Sequence, residues 1–106
     1  ILKRYVDDLH QLYGNYLKAV ILYGSYASGD FNKDSDIDIM ILVDLEQNTI
    51  EAYSDRLSEL GYQYNVNYDI WIMPIVKNLD HFKYWATAYP FYNNVQKEGV
   101  VLYEAA

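Results

Sequence analysis

Two aspartates stand two positions apart in Asp36-Ile37-Asp38-Ile39, where the apolar run Ile37 to Val43 begins. That run is dense in β-branched residues and reads as a strand, in which residues two apart project to one face. Two carboxylates side by side against an apolar run are costly unless something positive binds them. A hard divalent cation such as Mg²⁺ answers that need, because it takes oxygen ligands and keeps positions open for substrate phosphates. An Asp-x-Asp on its own is more often the solvated end of a loop, so the pair needs support from elsewhere in the chain.

Gly24-Ser25 supplies it. This dipeptide follows the short apolar run Ala19 to Tyr23, read as a buried strand, and opens a short helix within Ser25 to Asp34. Backbone N–H groups at a helix start attract phosphate, glycine lets the phosphate come close, and the Ser25 hydroxyl adds a donor. The simpler reading is a strand-to-helix turn with Ser25 as a cap. Together with the carboxylate pair, however, the turn outlines a nucleoside triphosphate site. A third acid, Asp69, opens the apolar run Asp69-Ile-Trp-Ile-Met73. If that strand lies beside the Asp36/Asp38 strand, three carboxylates meet at one sheet end. Two can then hold metal while the third holds metal or takes a proton from an attacking hydroxyl.

The elements that must position these residues follow from the hydrophobic pattern. Leu2, Tyr5, Val6, Leu9, Leu12, Tyr13, Tyr16 and Leu17 recur at helical spacing, with Gly14 weakening the last turn. A second long helix is expected from Asn48 as cap, with Glu51 at the capping-box position, to Gly61 as stop; Ile50, Tyr53, Leu57 and Leu60 form its buried face. Tyr68 to Ile75 reads as a third strand limited by Pro74. Leu79 to about Lys97 is helical with a break near Pro90, and Val100 to Tyr103 forms a last short strand. Alternating helices and strands predict an α/β (α+β) fold, a small mixed sheet with helices packed against it.

Bulk properties narrow the partners. The 106 residues fit one compact domain, and 52% hydrophobic residues suffice for a core. The net charge of -7, with 8 Lys+Arg against 15 Asp+Glu, repels phosphate backbones and argues against long nucleic acid. A single nucleotide remains compatible, because a bound metal neutralises its charge. The absence of cysteine excludes disulfides and thiolate metal sites. No apolar run approaches the ~20 residues that span a membrane, and no signal peptide is visible, so a cytoplasmic location is expected. Thirteen tyrosines are read mainly as half-buried amphipathic residues, the alternative being an exposed partner surface. His10 and His81 have no partner at metal-ligand spacing and are read as structural or exposed. Trp71 is read as core filling and Asp30 and Asp34 as solvated loop acids.

The central stretch is similar to the signature of the polymerase-beta-like nucleotidyltransferase superfamily: Gly24-Ser25, ten residues from Tyr26 through Ser35, then Asp36-x-Asp38. Ser25-Tyr-Ala-Ser-Gly29 and Ser35-Asp-Ile-Asp-Ile39 resemble its minimal nucleotidyltransferase branch, including antitoxins of the MntA type. The tail Lys97-Glu-Gly-Val-Val-Leu-Tyr103 resembles the end of such domains. The resemblance implies one nucleotidyltransferase domain over residues 1–106, with Gly24 and Ser25 on the nucleotide phosphates. It assigns Asp36 and Asp38 to the divalent ions, two Mg²⁺ being expected, and Asp69 to the third acidic position as metal ligand or general base. It makes ATP the expected donor. One departure stands out: many relatives carry Arg where this chain has Ser28, and Lys33 is the candidate to compensate, although a loop lysine is more often solvated.

The short, acidic chain leaves no room for an acceptor domain, so the acceptor surface is expected from another subunit: by the resemblance a HEPN-type toxin with a tyrosine that receives AMP, or, for a small-molecule acceptor, a second copy in a homodimer. Two other functions fit the sequence: a non-catalytic antitoxin that acts by complex formation, and transfer to a small molecule of the aminoglycoside type.

Overall fold

A computed structural model describes residues 1–30 and 36–106. The first helix, α1 (Leu2–Tyr13), buries Tyr5, Val6, Leu9 and Tyr13 along one face. The expected face ran on to Leu17, but Gly14 adopts φ 58° and ends the helix. A single 3-10 turn, Gly14–Tyr16, then leads into β1 (Leu17–Tyr23). Glycine takes that positive φ without the steric cost other residues meet.

After β1 come the short helix α2 (Ser25–Ser28) and then β2 (Ile37–Val43), as expected. Lys33, Asp34 and Ser35 lie outside the described residues. The next segment departs from the sequence reading. It divides into α3 (Gln47–Ala52) and α4 (Ser54–Tyr68), with Glu46 rather than Asn48 at the first cap. Gly61 does not stop α4. The Tyr64 hydroxyl donates to Asp8 Oδ2 at 2.6 Å, and its ring stands edge-on to Tyr5 with centroids 5.4 Å apart. These contacts tie the turns beyond Gly61 to α1. Tertiary packing thus outweighs the roughly 1 kcal/mol propensity cost of a mid-helix glycine.

Because α4 extends to Tyr68, the third strand starts late: β3 is Ile72–Asn78, with Pro74 inside it rather than at its end. Pro74 lacks a ladder donor and is tolerated because β3 is an edge strand. The Asn78 side chain accepts from the His81 N–H at 3.0 Å and caps α5 (Leu79–Trp85). Pro90 opens α6 (Pro90–Glu98), as the break near Pro90 required. The last strand, β4 (Val100–Glu104), follows Gly99, where any β-carbon would run into the Ile21 side chain and the Val95 carbonyl.

The sheet order is β3-β2-β1-β4. β1 runs antiparallel to β2 and β4, while β2 and β3 are parallel. The sheet is therefore mixed, as expected. Its inner strands are covered on both faces, which explains their unbroken apolar runs. Val20, Leu22, Ile37, Ile39 and Ile41 face α1, α3 and α4. Ala19, Ile21, Met40 and Leu42 face Phe82 of α5 and Val95 of α6. Among the described residues, no helix is long and apolar enough to cross a membrane.

Candidate active site

β1 and β2 meet at the sheet end that matters, where Tyr23 pairs with Asp38. Chain alternation puts Asp38 on the face of Met40 and Leu42, towards α5 and α6, because Ile37 and Ile39 point to the opposite core. Asp38 is half-buried and Asp36 exposed. The Ile37 N–H donates to the Trp71 carbonyl at 2.7 Å, which anchors the aspartate pair beside the start of β3.

Gly24 completes this corner. It adopts φ 75° and ψ -151°, and a β-carbon there would stand 2.5 Å from Asp38 Oδ2. Any side chain at this position would displace the carboxylate. The Gly24 carbonyl accepts from the N–H groups of Ala27 and Ser28, which winds the turn into α2. Ser25 is half-buried at its start. The Ser28 hydroxyl donates to the Ser25 carbonyl and lies 3.2 Å from Asp30 Oδ2, so the position of the missing Arg holds a small local hydrogen-bonding group.

Negative charge gathers at this corner. Burial holds the Asp38 carboxyl above the ordinary carboxylate range, and the charge of Asp36 adds to the effect. The neighbouring Tyr23 hydroxyl is pushed up by burial and then by Asp38. A bound divalent cation would relieve both carboxylates at once, and an all-oxygen donor set suits Mg²⁺. The residues present therefore fit the metal.

Asp69 lies at the same sheet end, but not as the first residue of a strand. It is the left-handed cap of α4, with φ 54° and ψ 43°, and its N–H donates to the Asn65 carbonyl at 2.9 Å. It is exposed, three residues before Ile72, which pairs with Ile37. Asp36, Asp38 and Gly24 are thus brought together, whereas among the described residues no three acidic or imidazole side chains form a metal-holding group. His10 packs edge-on to Tyr103 and His81 lies near Trp85 and Tyr92, both in aromatic surroundings. Trp71 is 60% exposed rather than core.

The sequence reading missed one wall. A groove of about 590 Å³ runs between the Gly24 turn and α6, lined by Tyr23, Gly24, Ser28, Phe91, Asn94 and Glu98 among others. Phe91, Asn94, Val95 and Glu98 share one helical stripe at spacings of three and four, a signal present in the sequence but not tied there to Gly24. A second groove, about 600 Å³, lies against β3 and α4 and includes neither Gly24 nor the aspartate pair.

The nucleotidyltransferase domain family matches residues 2–98, and the chain belongs to it. Two Methanocaldococcus jannaschii proteins are similar over much of their length. "Putative protein adenylyltransferase MJ0604" is 34% identical over 96% of this chain and 94% of its own. "Putative protein adenylyltransferase MJ0141" is 37% identical over 72% of this chain and 75% of its own. Two solved structures share the fold. A toxin-antitoxin crystallised with AMP-PNP superimposes with a TM-score of 0.56 at 18% identity, covering 99% of this chain and 75% of that one. A mutant of the toxin-antitoxin MntA-HpeT gives 0.55 at 16% identity over 97% and 73%. That mutant replaces two aspartates, two positions apart, with glutamate.

Proposed function

We propose that this nucleotidyltransferase is a protein adenylyltransferase that moves AMP from ATP to a tyrosine hydroxyl of a HEPN-type toxin partner, acting as its antitoxin. The observation that carries the proposal is the Asp38 carboxylate seated against Gly24 beside Asp36. The names of the Methanocaldococcus jannaschii relatives and the toxin-antitoxin nature of the solved neighbours support the choice of a protein acceptor. The net charge of -7 agrees with an acceptor other than nucleic acid.

In this reading Gly24 and Ser25 hold the triphosphate, and Asp36 and Asp38 hold the metal. Mg²⁺ when bound neutralises charge on the phosphates during in-line displacement. The acceptor oxygen bonds to the α-phosphorus, the bond from that phosphorus to pyrophosphate breaks, and pyrophosphate leaves. Asp69, exposed at the same sheet end, takes the acceptor proton. Residues 1–106 act as one nucleotidyltransferase domain in the cytoplasm. ATP labelled at the α-phosphate should transfer label to the partner, whereas γ-labelled ATP should not. Label from the γ-position on the partner would contradict the proposal.

Ser28 in place of the frequent Arg favours a second reading, an antitoxin that acts by complex formation alone. A chain of that kind would neutralise its partner without ATP, and equally well as Asp36→Asn.

A further inference from the structure

The groove between the Gly24 turn and α6 has a composition that the phosphate and metal chemistry leaves unused. Its volume of about 590 Å³ falls within the roughly 300–1,000 Å³ typical of small-ligand sites. One wall is formed by Gly24, Ala27 and Ser28, with Gly24 directly beside Asp38. The other is the α6 stripe, anchored in the core by Val95, which is 2% exposed. Phe91 packs edge-on to Tyr23 with centroids 5.7 Å apart and still remains 45% exposed. Asn94 and Glu98 follow it along the groove and are both exposed. An aromatic ring held by a neighbour, with an amide and a carboxylate in line behind it, suits a flat heterocycle with a polar edge.

We propose that this groove is the nucleoside subsite, with Phe91 stacking on the base and Asn94 and Glu98 selecting adenine by its edge. The proposal rests on the reading of Gly24, Asp36 and Asp38 as the triphosphate and metal site. A nucleotide whose phosphates lie there has this groove next to it. The Glu98 carboxylate only accepts hydrogen bonds, so it favours a base that directs an exocyclic amine at it from the six-position, as adenine does. Asn94 both donates and accepts, and an amide matches the adjacent donor and acceptor of adenine. In that same orientation guanine would present its six-position carbonyl oxygen to the carboxylate and be disfavoured. Cytosine keeps the amine but offers a smaller stacking face.

Calorimetry with Mg²⁺ and three probes (ATP, GTP and inorganic tripolyphosphate) tests this. Wild type should bind ATP more tightly than GTP and should also bind tripolyphosphate. Phe91→Ala should weaken ATP about tenfold or more, in line with base stacking on aromatics, and leave tripolyphosphate unchanged; Phe91→Trp should restore ATP. Glu98→Gln, whose amide can donate to the guanine carbonyl, should narrow the ATP-to-GTP ratio about tenfold. Both side chains are exposed, and thermal melts identify any variant that fails to fold. Equal binding of ATP and GTP by wild type, or an unchanged ratio in Glu98→Gln with unchanged ATP affinity in Phe91→Ala, would overturn the subsite. Failure of wild type to bind tripolyphosphate with Mg²⁺ would instead overturn the phosphate and metal reading beneath it.

Discussion

The carboxylate of Asp38 rests on the α-carbon of Gly24, so closely that a β-carbon there would come 2.5 Å from Oδ2. The backbone of Gly24 also sits at φ 75°. Gly24→Ala should therefore impose both a clash and backbone strain, costing about 1–3 kcal/mol in the folded state. By displacing the Asp38 carboxylate, the variant should also lower Mg²⁺-dependent ATP affinity about tenfold or more, a loss of about 1.4 kcal/mol in binding. Calorimetry and a melt of the same variant measure the two effects separately.

Asp38 is held at some cost to the metal-free protein. Burial and then the charge of Asp36 raise its proton affinity in the folded state, so its contribution to stability diminishes as pH rises past the ordinary carboxylate range. Asp38→Asn should melt no lower, and at neutral pH higher, than wild type without metal. Transfer should fall at least about a hundredfold, because a metal site contributes several kcal/mol to stabilising transition-state charge. A lower melting temperature for the metal-free variant would contradict this account of the pair.

Among the described residues, the buried hydroxyls of Tyr5 and Tyr13 have no hydrogen-bond partner, whereas that of Tyr64 donates to Asp8. An unsatisfied buried polar group costs about 1–3 kcal/mol. Tyr5→Phe should therefore stabilise the fold by about 1 kcal/mol, while Tyr64→Phe should destabilise it by a similar amount. Urea titrations of the two variants should move in opposite directions.

The same hydroxyls set the alkaline limit. Burial raises Tyr5 and Tyr64 above the ordinary tyrosine value, and burial followed by Tyr53 pushes Tyr13 up from 10.0 to about 12. Unfolded tyrosines release protons near pH 10 while these folded ones retain them, so the unfolded state binds fewer protons and stability falls as pH rises. Their contribution is fully present below pH 10 and is lost towards pH 12 for Tyr13. A melting curve series should be flat in this respect up to pH 9 and steep above 10, and less steep in Tyr13→Phe.

Gly61 sits within α4, where an added β-carbon would meet nothing within 4 Å. Gly61→Ala should stabilise the protein by about 0.5–1 kcal/mol, measurable as a shift in the urea midpoint with an unchanged slope.

What the sequence revealed and what it concealed divide along physical lines. Gly24-Ser25 and Asp36-x-Asp38 are local signals flanked by two central strands, whose burial on both faces makes them unbroken apolar runs. The reach of α4 was hidden, because Tyr64 continues the helix past Gly61 through contacts with Tyr5 and Asp8, residues distant in the chain. That extension turned Asp69 from an expected strand residue into a helix cap. Phe91, Asn94 and Glu98 read only as one side of a helix. Their position opposite Gly24 depends on how α6 packs across β1, which no local pattern encodes.

The central claim is the transfer of AMP to a protein, and intact-mass spectrometry of the protein encoded by the adjacent gene tests it most directly. Incubated with this chain, ATP and Mg²⁺, that protein should gain the mass of one or more AMP groups, mapped to tyrosine, and Asp36→Asn should abolish the gain. An unchanged mass with wild type, or a gain that persists with Asp36→Asn, would contradict the account.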